Sequence, residues 1–276
     1  MKKAILLVSC GATNPAILNQ AKQNLEARLQ ETFSGYAVRR AFTSRKIVQF
    51  LAEKQGIYVD TEQAAFERLM QEGYRQVVVQ PLHIAVGEEY EKVKWIVSKY
   101  VHSKTKDFDV VTIGRPLLYF AGHNEKADDY LAVAHACEQK VSTMRSDEAL
   151  VLVGKGGIHP ANTAYAMLQL KIDYAKIPRL FVCTESGFPE VTALIEKCEA
   201  AKVKKVIVWP LRMDQQAEPS ETLVALVNSL EAKEIVVQLE MQAFRENVAI
   251  QQLYLEHLQD AIASSERFLL RKNKRI

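Results

Sequence analysis

The sequence predicts an α/β protein made of two similar halves, each a doubly wound parallel sheet with helices on both faces. Three observations support this fold class. Short apolar runs alternate with helical patterns along the chain, and two strand-and-turn patterns each occur twice. The length of 276 residues also fits two domains of ordinary size.

The first repeat relates the start of the chain to its middle. Residues 149–161 align without gaps on residues 4–16, at an offset of 145. Both segments begin with a short apolar run, which is typical of a strand buried on both faces. In the first copy, Asn14 and Pro15 then favour the start of a helix. The alignment places Lys155 where Cys10 stands in the first half.

The second repeat relates residues 77–83 to residues 206–212, at an offset of 129. Each copy is an apolar strand followed by Pro-Leu, and His83 corresponds to Arg212. With the repeats, the pattern predicts eight strands in two sets of four. The strands outside the repeats are predicted at 36–42, 110–114, 180–183 and 235–239.

The domain organisation follows from these two sets of strands. We expect an N-terminal half over 1–143 and a C-terminal half over 144–276, joined by the polar stretch 142–147. The last helical pattern, which starts at Val248, is expected to pack on the first half. Ligands of such folds bind beyond the carboxyl ends of the strands, and two facing halves would form one cleft there.

The charge distribution argues against nucleic acid as a partner. The net charge is +3, but residues 266–276 alone carry +4, so the rest of the chain is close to neutral. The basic residues of this tail are Arg267, Arg271, Lys272, Lys274 and Arg275. We interpret the tail as a solvated chain end.

The cysteines and the apolar runs indicate a protein of the reducing cytoplasm. Cys10, Cys137, Cys183 and Cys198 are far apart and form no C-x-x-C pair, which excludes a disulfide framework and a zinc ribbon. The apolar start is interpreted as a strand and not as an export signal. No run approaches the ~20 residues of a membrane helix, so no membrane partner is expected.

Several motifs lie where the predicted strands end. In the first half these are residues 41–44 and 82–92. In the second half, residues 154–165 match the pattern G-H-G-x-x-H-P-A-N-x-x-Y except at Lys155, and residues 185–190 resemble an E-S-x-P-E turn. By these motifs the chain resembles the anaerobic sirohydrochlorin cobaltochelatase (CbiK-type) family of type II tetrapyrrole chelatases, over nearly its whole length.

The resemblance implies an activity and a ligand set. The family inserts a divalent metal ion into a polycarboxylate tetrapyrrole in a step of cobalamin biosynthesis, so a tetrapyrrole is the implied partner and an active chain would be a lyase. The metal is a substrate, Co²⁺ before Fe²⁺ or Ni²⁺, and no tightly bound cofactor is implied. The resemblance places the metal at a histidine, a glutamate and a second histidine. Those positions are Lys155, Glu185 and Glu218 here, so only the glutamate agrees.

Lys155 is a poor substitute for a metal-binding histidine. A protonated lysine offers no lone pair to a metal and accepts no proton. Next to an incoming cation it also repels, because two like unit charges at ~4 Å and an effective dielectric of ~20 cost about 4 kcal/mol. The ordinary chemistry of the family is therefore not expected at this position.

Three readings remain open. In the first, Lys155 and Glu218 form an ion pair and the protein binds a tetrapyrrole without metallating it, as a carrier or sensor. In the second, the protein still chelates, while Lys155 steers substrate carboxylates; the chelating residues are Glu185, Glu218, His159 and His83. In the third, the chain is a degenerate copy without a ligand. Whether the chain forms a homo-oligomer is also open.

The remaining candidates each have a structural alternative. His159 is a candidate ligand or a helix cap, and His83 a substrate contact or a buried histidine. Glu89 is a candidate catalytic residue, although acids at a helix start are favoured by the dipole alone. Cys10 is a candidate substrate contact or a small buried filler. The arginines Arg115, Arg212 and Arg245 could bind substrate carboxylates or be ordinary surface residues.

Overall fold

The computed structural model describes residues 1–101, 107–123, 125–214 and 218–273. Lys274 and Arg275 of the predicted basic tail lie outside these ranges. The chain divides into two compact units, one of Met1–Leu117 with Gln251–Ile276 and the other of Leu118–Ile250. Each unit is built on one parallel sheet.

The sheet of the first unit has the strand order β3-β2-β1-β4-β5, and every pair of neighbours is parallel. The strands are β1 (Lys2–Ser9), β2 (Ala37–Phe42), β3 (Asp60–Thr61), β4 (Tyr74–Pro81) and β5 (Val110–Ile113). The central strand β1 is apolar from Ala4 to Val8, and these side chains are almost completely buried. An unbroken apolar run suits a parallel strand that is covered on both faces.

Helices follow most of the strands of this sheet. They are α1 (Pro15–Ala21), a π-helical segment (Lys22–Glu26), α2 (Ala27–Thr32), α3 (Arg45–Gln55), α4 (Glu62–Gln71) and α5 (Glu88–Val101). Side-chain caps fix two of the helix starts. The hydroxyl of Ser44 accepts a hydrogen bond from the amide of Ile47, and that of Thr61 accepts one from the amide of Ala64.

The second unit has a parallel sheet in the order β7-β6-β8-β9. Its strands are β6 (Glu148–Gly154), β7 (Leu180–Thr184), β8 (Lys205–Pro210) and β9 (Val236–Leu239). Its helices are α6 (Asp129–Ser142), α7 (Thr163–Tyr174), α8 (Val191–Ala200) and α9 (Glu221–Glu231), with 3-10 turns at Pro160–Asn162 and Phe244–Glu246. The apolar side chains of β6, β8, α8 and α9 form a buried core.

The last helix, α10 (Val248–Asn273), belongs to the first unit from Gln251 onward. Gln76 on β4 is fully buried and donates hydrogen bonds to the hydroxyls of Tyr36 (3.0 Å) and Ser265 (2.8 Å). The hydroxyl of Tyr254 donates to the backbone carbonyl of His83 at 2.8 Å. Polar contacts thus attach α10 to the first sheet.

The predicted α/β class with two parallel sheets is confirmed, and so are the predicted strands that became β2, β5, β7 and β9. Strand β3 was not predicted, because two residues carry no pattern. The expected N-terminal half ended at residue 143, whereas the second compact unit begins at Leu118 and therefore contains α6. No helix in the described ranges is both long and apolar enough to span a membrane.

Candidate functional site

The predicted site residues of the second unit follow the carboxyl ends of its strands. Lys155 comes directly after β6, Glu185 directly after β7, and Arg212 two residues after β8. Because neighbouring parallel strands end at the same edge, these residues share one edge of the sheet.

Two tight loops form this edge. The amide of Glu185 donates to the carbonyl of Gly154 at 2.9 Å, and the amide of Gly157 donates to the carbonyl of Ser186 at 2.7 Å. Gly156 has a φ of +71°, and a Cβ there would lie 1.8 Å from the oxygen of Ser186. Only glycine fits this approach, so the glycines hold the loop after β6 against the loop after β7.

Tyr165 on α7 packs against the end of β6, where the first of these loops begins. A Cβ on Gly154 would lie 2.3 Å from the ring of Tyr165, so the ring packs directly on the strand end. Burial raises the pKa of Tyr165 above its usual value, and this effect outweighs a hydrogen bond with the backbone of Lys155 that lowers it. The tyrosine therefore stays neutral and fixes the backbone that carries Lys155.

Glu185 accepts hydrogen bonds through both oxygens of its carboxylate. Its Oε1 accepts a hydrogen bond from Nη2 of Arg212, with which it forms an ion pair. Its Oε2 accepts from the hydroxyls of Ser220 (2.7 Å) and Thr222 (2.5 Å). The side chain of Glu185 is only 4% exposed and that of Arg212 is 20% exposed.

The contacts of Glu185 keep it ionised. Burial raises the pKa of its carboxyl, but the hydrogen bonds from Thr222, Ser220 and Arg212 outweigh burial, and the pKa lies below its usual value. A carboxylate that accepts several hydrogen bonds behaves in this way because each bond favours the charged form. Glu185 is thus a buried, negatively charged acceptor at neutral pH.

The structure does not contain the ion pair between Lys155 and Glu218 that one reading of the sequence required. Both side chains are described and exposed, and they form no ion pair with each other. Glu185 instead forms an ion pair with Arg212. Residues 215–217, between Arg212 and Glu218, lie outside the described ranges.

His159 takes the capping role that was the alternative to metal binding. Its Nδ1 accepts a hydrogen bond from the amide of Ala161 at 3.2 Å, at the start of the turn Pro160–Asn162. With Nδ1 as the acceptor, the neutral ring carries its proton on Nε2. Binding a metal through this side chain would require a change of tautomer or loss of the cap.

Two other predicted arginines have partners within their own units. Arg115 forms an ion pair with Asp260 of α10 at 2.6 Å. Arg245 is 5% exposed and forms ion pairs with Asp214 and Glu246. Arg245 is therefore an internal charge that links the loop after β8 to the turn Phe244–Glu246.

The first unit also has predicted site residues at the carboxyl edge of its sheet. Cys10 after β1 is exposed, and His83 after β4 is partly buried. Glu89 forms an ion pair with Lys92 at 2.8 Å. Burial raises the pKa of Glu89, but the bond from Lys92 and the field of His83 contribute to a net lowering.

Sequence reasoning missed four residues that shape these two edges. They are Glu62, Tyr165, Ser220 and Thr222; Tyr165 ends the motif at residues 154–165 but was given no role in the site. Ser220 has a signal as the cap of α9, because its hydroxyl accepts from the amide of Leu223. Glu62 is 6% exposed, and burial, together with the charge of Glu89, raises its pKa. No sequence pattern indicated this proximity.

The described residues contain no group of three or more His, Cys, Asp or Glu side chains that could hold a metal ion. Within the second unit, the site is instead one buried carboxylate, Glu185, bound by one arginine and two hydroxyls. A metal ion that binds Glu185 would therefore compete with these donors for the lone pairs of the carboxylate.

A comparison with solved structures finds the same fold elsewhere. SirB from Bacillus subtilis, solved with Fe3+, superposes with a TM-score of 0.64 at 17% identity, over 96% of this chain and 98% of that one. At this identity the likeness shows the fold alone.

Sequence comparison gives the family. The profile described as Cobalt chelatase (CbiK) matches residues 3–263. The sirohydrochlorin cobaltochelatase of Salmonella typhimurium is 30% identical over 270 residues, covering 95% of this chain and 97% of that protein. The sirohydrochlorin cobaltochelatase CbiKC of Nitratidesulfovibrio vulgaris is 31% identical over 216 residues, covering 76% and 71%. The chain belongs to the cobalt chelatase (CbiK) family, which confirms the resemblance predicted from the strand-end motifs.

Proposed function

We propose that this chain inserts a divalent metal ion, with Co²⁺ the first candidate, into sirohydrochlorin or a related tetrapyrrole. The observation that carries the proposal is the ionised Glu185 at the carboxyl edge of the second sheet, in a chain that matches the family profile over residues 3–263. A charged carboxylate offsets the charge of an arriving metal ion. The names of the two relatives, both sirohydrochlorin cobaltochelatases, support the same substrate class.

The residues of the second unit are proposed to have roles that differ from those of the family, because Lys155 and Glu218 stand where the family has histidines. Glu185 meets the metal, with Glu218 and His159 as further candidate ligands. Lys155 is exposed, so its ammonium group is available to steer the carboxylates of the tetrapyrrole. Arg212 is proposed to bind a substrate carboxylate once it leaves Glu185.

The first unit supplies candidates for proton transfer and substrate contact. Metallation releases two pyrrole protons, which need acceptors near the ring. Glu89 is ionised and is the proposed acceptor, whereas His83, whose charge contributes to the lowered pKa of Glu89, is a proposed contact to the tetrapyrrole. Cys10 and Arg115 are proposed contacts to the tetrapyrrole.

A second candidate function is binding of the tetrapyrrole without metallation, as a carrier or sensor. The observation that favours it is that both carboxylate oxygens of Glu185 already accept hydrogen bonds from the protein. Together with a lysine at position 155, this leaves the edge with two cations where the resemblance implies a metal.

An anaerobic insertion assay separates the two functions. Sirohydrochlorin is mixed with Co²⁺, Fe²⁺, Ni²⁺ or Zn²⁺ and the purified protein, and absorbance is followed for metallation above the uncatalysed rate. The matched control is Glu185→Gln, which keeps the shape of the side chain but removes its charge. Catalysed insertion that Glu185→Gln abolishes supports the chelatase. Tight binding of sirohydrochlorin without turnover with any of the metals would reject it in favour of the carrier or sensor.

A further inference from the structure

The contacts of Glu185 occupy both of its oxygens. Oε1 accepts from the guanidinium of Arg212, and Oε2 accepts from Ser220 and Thr222. A carboxylate has about four lone-pair sites for hydrogen-bond donors or a metal ion, and three of these sites already accept hydrogen bonds from the protein. Metal and protein donors therefore compete for one side chain.

Arg212 is the donor that matters most, because it also competes by charge. It is the partner of Glu185 in an ion pair whose carboxylate is only 4% exposed, where charge interactions are weakly screened. A divalent cation in contact with Glu185 would lie within a few ångströms of the guanidinium and be repelled by it. The hydroxyls of Ser220 and Thr222 carry no charge and can rotate away.

The backbone around Arg212 holds this residue in place. The amide of Phe244 donates to the carbonyl of Arg212 at 2.8 Å, and Nη2 of Arg212 also donates to Ser220 at 3.1 Å. Ser220 in turn caps α9. The guanidinium is thus positioned by the fold, which makes it a built-in partner of Glu185 and not a chance surface contact.

We propose that Arg212 controls metal binding at this site. Its guanidinium pairs with Glu185 and prevents divalent metal ions from binding this carboxylate until the guanidinium moves away. This inference rests on the proposed function for its biological meaning, but it concerns metal binding alone. Carboxylate groups are the natural alternative partners of a guanidinium. A polycarboxylate substrate can therefore draw Arg212 away, so that the site accepts metal only when the tetrapyrrole is present.

The experiment is a titration of the full chain with Co²⁺ alone, without tetrapyrrole, followed by calorimetry and by the visible absorption of bound Co²⁺. Arg212→Gln removes the cation, and Arg212→Lys keeps a positive charge next to Glu185. Losing a charged competitor is expected to tighten Co²⁺ binding by about tenfold or more in Arg212→Gln. Arg212→Lys is expected to bind Co²⁺ as weakly as the wild type.

Two controls test whether the increase in Co²⁺ affinity depends on Glu185. Arg75→Gln breaks the exposed ion pair of Arg75 with Asp109 in the first unit, and should leave Co²⁺ affinity unchanged. Adding Glu185→Gln to Arg212→Gln should abolish the gain. If Arg212→Gln does not fold without metal, the comparison is repeated as Co²⁺-dependent refolding followed by circular dichroism, and refolding is expected for this variant.

The proposal is overturned if Arg212→Gln binds Co²⁺ no better than the wild type, or if an unfolded variant does not refold with Co²⁺. It is equally overturned if the gain persists without Glu185 or appears in Arg75→Gln. These outcomes are independent of turnover. Absence of metal insertion in the wild type rejects the chelatase, whereas absence of a gain in Arg212→Gln rejects only the role of Arg212.

Discussion

The ion pair at the edge of the second sheet makes Glu185→Gln a sharp test of the electrostatic argument. The amide has the same shape, but it removes the negative charge opposite Arg212 and turns an NH₂ group toward donors. Removing one partner of a buried ion pair costs about 3–5 kcal/mol. Because the side chain of Arg212 is 20% exposed, water compensates part of the loss, and we expect about 2–3 kcal/mol.

The effect should depend on pH in a defined direction. The pKa of Glu185 is below its ordinary value of 4.5, so its ionised form stabilises the fold at neutral pH. This stabilisation is complete above the pKa of the unfolded chain and is lost as the pH falls through the lower pKa of the folded chain. The difference between wild type and variant should therefore be largest near pH 7 and shrink below about pH 4.5.

Urea denaturation at several pH values measures this difference. Glu196→Gln is the matched control, because Glu196 is exposed on α8 of the same unit and should change stability by less than about 0.5 kcal/mol. The reasoning would be refuted if Glu185→Gln were as stable as the wild type at pH 7, or if its deficit were the same at pH 4.

Three further predictions follow from other features. Changing both Lys155 and Glu218 to histidine should raise Co²⁺ affinity, measured by calorimetry, and an unchanged affinity in a folded variant would show that more of the site has diverged. Gly156→Ala should destabilise by about 2–4 kcal/mol in urea unfolding, because a methyl group meets a backbone carbonyl at positive φ, whereas Gly35→Ala, with open space around it, should be nearly neutral. Arg245→Met should lower the unfolding free energy by about 3–5 kcal/mol, since it leaves buried carboxylates without a cation; a thermal shift within 1–2 °C of wild type would contradict this.

Much of the fold could be predicted from periodicity and repetition. An all-apolar run such as Ala4 to Val8 fits only a buried position, and its repeat at 149–153 predicted the same strand in the second unit. The two-residue β3 had no pattern to detect. The boundary near residue 143 placed α6 with the first half, because a polar linker resembles any polar helix end; contacts, which the sequence does not display, place α6 in the second unit.

The sequence predicted where the candidate site lies, but not which of its side chains contact each other. Glu185 and Arg212 were each predicted as site residues because they follow strand ends, and parallel strands bring their carboxyl ends to one edge. Their pairing depends on the path of the loop after β8 and on side-chain conformation, neither of which has a periodic signal. For the same reason a pair between Lys155 and Glu218 was only one of three open readings, and the pair between Glu185 and Arg212 was not foreseen.

Ser220 links Glu185 to the backbone of α9, where changes at the site can be measured. The same hydroxyl that donates to Glu185 accepts the amide of Leu223 in the first turn of α9. Arg212 donates to the same hydroxyl, so a ligand that draws the guanidinium away from Glu185 also removes one hydrogen bond from the residue that caps α9. Hydrogen–deuterium exchange at the amide of Leu223 would therefore record occupancy of the carboxylate in solution, even for ligands that produce no colour and no turnover.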